Sequence, residues 1–137
     1  MPNKRMLFME CPPMAHDANI RDFRKMGFDI EVYQLLNLDK ALDVKNKYRL
    51  EDFDVILIYI SAGQIGGKDF IIPKELVDKL KKATQIAETR KSSPVRLVGM
   101  NLNLSGKEQQ IQAEIFDGLF IGWASTQEQI MQCLGIY

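Results

Sequence analysis

Two stretches of the chain carry residue types that could do chemistry. The first is Ser61-Ala62-Gly63-Gln64-Ile65-Gly66-Gly67-Lys68. Glycine loops expose backbone N–H groups to anions, so Ser61, Gly63, Gly66 and Gly67 form a candidate ligand loop. The spacing falls short of a P-loop. One residue is missing before Gly67-Lys68, and Asp69 stands where that motif needs Ser or Thr. The second stretch is Cys11 to His16, a thiol and an imidazole five residues apart across Pro12-Pro13. Such a pair can make a nucleophile, but no third group is evident to orient it. A buried cysteine behaving as a small apolar side chain is the plainer reading.

Other chemistries fail on residue type. Cys11-Pro12-Pro13-Met14 offers a flavin phosphate no hydroxyl, and the prolines remove two N–H donors. His16 is the only histidine, with Met14 two residues before it and Asn19 three after. It therefore lacks the Asp-x-His-x-x-Gly motif of a cobalamin site. The two cysteines, Cys11 and Cys133, make neither a disulfide framework nor a zinc spacing. No metal or cofactor is expected, and no catalytic residue is assigned.

Regular elements must position these residues. Met6-Leu7-Phe8-Met9 is a short apolar run closed by Pro12-Pro13, and predicts a first strand buried on both faces. Asp17 can cap a helix carrying Ile20 and Phe23, with Gly27 past its end. Phe28 to Tyr33 alternates as a second strand. Leu38, Leu42, Val44 and Tyr48 make a weaker helical stripe. Phe53 to Ile60 is the most hydrophobic run and predicts the central strand of a parallel sheet. Pro73 opens a helix with Leu76, Val77, Leu80, Ala83, Ile86 and Ala87 on its apolar face. The cations between Lys74 and Lys91 then form a solvated face.

Val95 to Asn101 predicts a fourth strand. Leu104 to Phe116 holds a short helix, and Gly118 to Gly122 a fifth strand. Ser125, with Glu128 three residues on, predicts the cap of a last helix with Ile130, Met131 and Leu134 on its stripe. Five strands alternating with five helices predict an α/β fold with a parallel sheet and helices on both faces. The expected architecture is a single flavodoxin-like (βα)5 domain over residues 1–137, in strand order 2-1-3-4-5.

Composition agrees with this. At 137 residues, 46% of them hydrophobic and 26% charged, the chain suits one globular domain. Eighteen basic residues balance eighteen acidic ones. Broad attraction to nucleic acid or to an anionic membrane is not favoured. No apolar run reaches the length of about 18–20 residues that spans a bilayer, and no signal peptide is evident. A reduced, cytoplasmic chain is expected.

The layout resembles the receiver domain of two-component response regulators, over nearly the whole chain. Lys4 to Glu10 resembles the family's first strand, which ends in an acidic pair. Phe53 to Ser61 resembles the third, which ends in the phosphoacceptor aspartate. Pro94 to Gly99 resembles the fourth, which ends in Thr or Ser. Asp117 to Phe120 resembles the fifth, which leads to Lys-Pro. The resemblance implies a degenerate phosphorylation site. Glu10 takes the first acidic position and Cys11, a poor partner for Mg²⁺, the second. Tyr59 takes the phosphoacceptor position, and a phenol cannot form an acyl phosphate. Gly99 replaces the hydroxyl and Gly122 the lysine, with Trp123 after it. The loop from Ser61 to Phe70 and the helix after it are longer than usual for receivers.

What the resemblance implies is a non-phosphorylatable pseudo-receiver. It would serve signalling or scaffolding through protein–protein interaction and would not be an enzyme. In receivers, the face of the fourth helix, fifth strand and fifth helix is the usual dimer and partner surface. Trp123, Met131, Leu134 and Tyr137 would fall there, for a protein partner or a homodimer. Trp123, the only tryptophan, suits core packing as well as an interface anchor. The alternative is a flavodoxin-like domain that binds a small molecule or nucleotide, with or without catalysis. It would use loops at the carboxyl ends of the strands.

Overall fold

The computed structural model describes residues 4–11, 17–34, 38–60, 74–91, 93–100, 114–120 and 126–135. Its five strands are β1 (Lys4–Cys11), β2 (Phe28–Gln34), β3 (Val55–Ile60), β4 (Arg96–Met100) and β5 (Gly118–Phe120). They form one sheet in the order β2-β1-β3-β4-β5, and each neighbouring pair is parallel. This is the flavodoxin-like order expected from the alternation of elements.

Among the described residues the α-helices are α1 (Asp17–Lys25), α2 (Val44–Lys47), α3 (Lys74–Glu88) and α4 (Gln127–Cys133). The sheet's two faces follow strand alternation. Leu7, Met9, Ile56, Ile58 and Leu97 face one layer, with Val44, Val77 and Leu80. Met6, Phe8, Leu57, Val98 and Met100 face the other, with Phe23 of α1 and Leu134 beyond α4. Met6, Leu7, Phe8 and Met9 are all fully buried, as a central strand covered on both faces requires.

The strands enter the sheet through a repeated device. Phe53-Asp54 precedes β3 and Phe116-Asp117 precedes β5. Both phenylalanines are buried. The Asp54 carboxylate accepts from Arg5 N–H at 2.9 Å, while Asp54 N–H donates to Arg5 C=O at 2.8 Å. The Asp117 carboxylate accepts from Leu97 N–H at 2.7 Å, and Asp117 N–H donates to Leu97 C=O at 2.8 Å. Each aspartate thus extends the ladder by one reciprocal pair and satisfies a neighbouring strand's amide.

Several expectations are corrected. The stripe from Leu38 to Tyr48 is a 3₁₀ turn, Leu38–Asp43, followed by one α-turn. Buried Ala41 and Val44 are three apart, which suits the tighter helix. Asp43 gives its end no side-chain cap, and Tyr48 is already extended. Ile86 is 55% exposed and outside the core; buried Leu80, Thr84 and Ala87 mark the face that packs. The last helix is capped by Thr126, not Ser125. Thr126 Oγ1 accepts from Gln129 N–H at 3.1 Å, and Gln129 Oε1 accepts from Thr126 N–H at 2.9 Å. Residues 125 and 128 have the same spacing, but the frame of 126 and 129 puts Ile130, Cys133 and Leu134 against the sheet. The expected helix of 104–116 falls mostly outside the described residues, and its end, 114–116, is turn and bend.

Candidate functional site

Brought together at the carboxyl edge are four of the positions on which the sequence argument rests. Glu10 of β1 lies opposite Tyr59 of β3. Tyr59 lies opposite Met100 of β4, and Gly99 one step back, opposite Ile58. Cys11 pairs with Ile60. The side chains of Glu10 and Cys11, and all of Gly122, lie outside the described residues.

Tyr59 is half-buried. Its ring stacks on that of Phe8, with centroids 6.1 Å apart and planes at 24°. Phe8 in turn meets Phe23 of α1 at 6.1 Å. The side chain at the expected phosphoacceptor position therefore belongs to the core layer beneath α1. Gly99 is buried between Val98 and Met100 and brings no hydroxyl.

Beside this edge, a cavity of about 360 Å³ opens between α1 and α4. Phe23, Met100, Phe120 and Ile130 line its apolar part, and Asn19, Asp22, Lys25 and Gln127 are its polar members. The size suits a small ligand, but the lining contains no cluster of metal ligands. Among the described residues, no group of three His, Cys, Asp or Glu side chains could hold a metal ion. No helix among them is long and apolar enough to cross a membrane.

The expected partner residues divide. Leu134 is fully buried in the α1–α4 layer, which corrects its assignment to an exposed interface. It sits there because Gly135, at φ +78°, ends the helix and turns the chain, leaving Leu134 under the last turn. Met131 is half-exposed on α4. Trp123 and Tyr137 lie outside the described residues, as do Ser61, Gly63, Gly66 and Gly67 of the candidate ligand loop. Cys133 is a half-buried free thiol whose Sγ lies 3.4 Å from Leu119 C=O, to which it donates.

The charges from Lys74 to Lys91 are more than a solvated face. Lys81 pairs with Asp117 at 2.5 Å. Lys91 donates to Phe53 C=O at 3.0 Å and lies 3.5 Å from Asp54. Two of the cations thus brace the two strand-entering aspartates. Arg90 and Arg49 both reach Glu51, at 3.7 and 3.1 Å. The backbone N–H of Glu51 and the Arg49 guanidinium hold its carboxyl below the ordinary value of 4.5. The same hydrogen bond, with Asp52 nearby, raises Arg49. Sequence reasoning missed these roles because each partner is distant in the chain or sits in an irregular turn.

Comparison with protein-family models gives no match, and comparison with curated proteins gives none either.

Proposed function

We propose that this chain is a non-phosphorylatable pseudo-receiver, a signalling or scaffolding module that works by contact with another protein. The observation that carries the reading is the place of Tyr59. It stands one residue before the end of the central strand of a β2-β1-β3-β4-β5 sheet, and its ring stacks on Phe8. A phosphoacceptor there would need an exposed carboxylate beside a metal held by hard oxygen ligands. A half-buried phenol supplies neither. Gly99, one step back on the next strand, brings no hydroxyl to a phosphoryl group. Without phosphotransfer, the domain acts as a standing docking surface, and α4 with Met131, together with Trp123 and Tyr137, is the face proposed for it.

The test is thermal unfolding with Mg²⁺ and beryllofluoride, then with FMN and nucleotides. A ligand at 100 times its Kd stabilises by about 2.7 kcal/mol, which raises Tm by about 4 °C in a domain of this size. No shift with beryllofluoride is expected. A shift of that size would overturn the reading. A shift with FMN or a nucleotide alone would replace it with a small-molecule binding domain.

A further inference from the structure

Outside the carboxyl edge, a groove of about 470 Å³ opens between α2, the Tyr48–Glu51 segment and α3. Its origin is local. Because α2 is a single turn, the chain leaves it in extended form at Tyr48 and does not close against α3. The floor is apolar, with Leu42, Tyr48 and Ala83 on the lining. Ile86 lines it too, 55% exposed, the one large hydrophobic side chain so exposed among the described residues.

The rim is cationic. Lys45, Arg49, Lys79, Lys82 and Arg90 line it, against a single carboxylate, Glu51. That carboxylate is already held by Arg49 and Arg90. Among the described residues, no carboxylate pairs with Lys45, Lys79 or Lys82. The chain as a whole is neutral, so this local excess is a property of the groove.

Shape separates the ligand classes. Lys79, Lys82 and Ile86 recur every three or four residues along α3 and form one stripe, which Arg90 continues in the turn past the helix end. From Lys79 to the end of α3 at Glu88 the helix rises about 14 Å, too long for one compact anion. Cations on both sides of an exposed apolar residue along such a stripe complement an acidic amphipathic helix laid in a groove.

We infer that the groove between α2 and α3 docks an acidic, amphipathic peptide segment of a partner protein. This inference does not depend on the receiver resemblance. Its failure would leave the beryllofluoride result untouched, and the reverse also holds.

The experiment uses the full chain and labelled synthetic peptides of about four helical turns, read by fluorescence anisotropy. One peptide carries Leu at positions i, i+3, i+4 and i+7 with Glu on both flanks. A second replaces Glu by Lys, and a third replaces Leu by Ser. The Glu/Leu peptide is expected to bind, more weakly as salt rises. The other two should bind at least about tenfold more weakly. Lys79→Glu with Lys82→Glu, and separately Ile86→Ser, should each weaken the Glu/Leu peptide by about tenfold. Their Tm should stay unchanged, because all three side chains are exposed. Arg21→Glu, on exposed α1, should not weaken binding.

Equal binding of the Ser peptide would reduce the groove to a general cationic surface and overturn the inference. Equal binding of the Lys peptide would make it merely apolar and do the same. Tighter binding of tripolyphosphate than of the Glu/Leu peptide would replace it with an anion site. A dimer in sedimentation that the Lys79→Glu, Lys82→Glu chain loses would assign the groove to a second copy instead. Absence of binding by the Glu/Leu peptide would also overturn it.

Discussion

The ring of Tyr59 lies 6.1 Å from that of Phe8, nearly parallel to it, across the diagonal between β1 and β3. Strand alternation puts both on the α1 face, where Phe8 is fully buried. The position at which the receiver resemblance expects a phosphoacceptor is therefore filled by a packed aromatic. Residue type and surroundings agree: a phenol that cannot be an acyl phosphate also serves as a piece of core.

Tyr59→Ala should destabilise the fold by about 2–3 kcal/mol, less than a fully buried aromatic because Tyr59 is only half-buried. Urea unfolding measures it. Tyr59→Asp should gain no response to Mg²⁺ and beryllofluoride, since Gly99 still supplies no hydroxyl. A loss below about 0.5 kcal/mol for Tyr59→Ala would mean the stack is incidental.

Asp117 carries two interactions of different worth. Its carboxylate accepts from Leu97 N–H, and Leu97 is fully buried. It also pairs with Lys81, where both side chains keep about a quarter of their exposure, 21% and 27%. A buried unpaired amide costs about 1–3 kcal/mol, and a partly exposed ion pair contributes about 1 kcal/mol or less. Asp117→Ala should therefore cost at least about 2 kcal/mol and Lys81→Met less than about 1 kcal/mol. Equal losses would show the ion pair, not the amide, to be the main interaction.

Gly118 and Gly27 should respond to alanine for different reasons. A Cβ on Gly118 would lie 2.8 Å from Cys133 C=O and 3.1 Å from Cys133 Cα. Backbone would have to move, forcing β5 and α4 apart. Gly27 has open space around it, but its φ is +102°. Its alanine costs only backbone strain, about 1–2 kcal/mol. Gly118→Ala should cost about 1–3 kcal/mol and increase the reactivity of the Cys133 thiol, which the displaced strand now shields. Gly27→Ala should leave that thiol unchanged. Thiol labelling under native conditions separates the two.

The legible parts of this fold were those decided by burial on two faces. Met6 to Met9 and Val55 to Ile58 are apolar without interruption, so their strands and their central places could be read directly. Gly27 likewise marked the end of α1, where its φ of +102° is the conformation glycine supplies. The last helix was harder. Ser125 with Glu128 and Thr126 with Gln129 have the same capping spacing, and only packing against the sheet chooses between them. Leu134 was legible as apolar but not as buried, because whether a helix's last turn faces the sheet depends on that same one-residue frame. Ile86 followed the helical spacing of its neighbours yet stays out, because α2 stops after one turn and leaves it uncovered. The two Phe-Asp pairs were present in the sequence as repeats of two letters. Their meaning appears only when Arg5 and Leu97, distant in the chain, come alongside.

Acid should reveal Glu51. Its carboxyl titrates below the ordinary 4.5 because its own backbone N–H and Arg49 favour the charged form. A carboxyl depressed in the folded state stabilises that state above its unfolded value, and the contribution is lost as pH falls through the folded one. Glu51→Gln removes this dependence. The gap in urea midpoint between wild type and Glu51→Gln should therefore be largest near neutrality and shrink as pH drops below 4.5. Raising salt at pH 7 should narrow it as well, since Arg49 is 76% exposed and screened. Midpoints measured from pH 7 to pH 3 settle the matter: two curves falling in parallel would show that Glu51 has no special stake in the folded state, and that Arg49 is positioned by the turn alone.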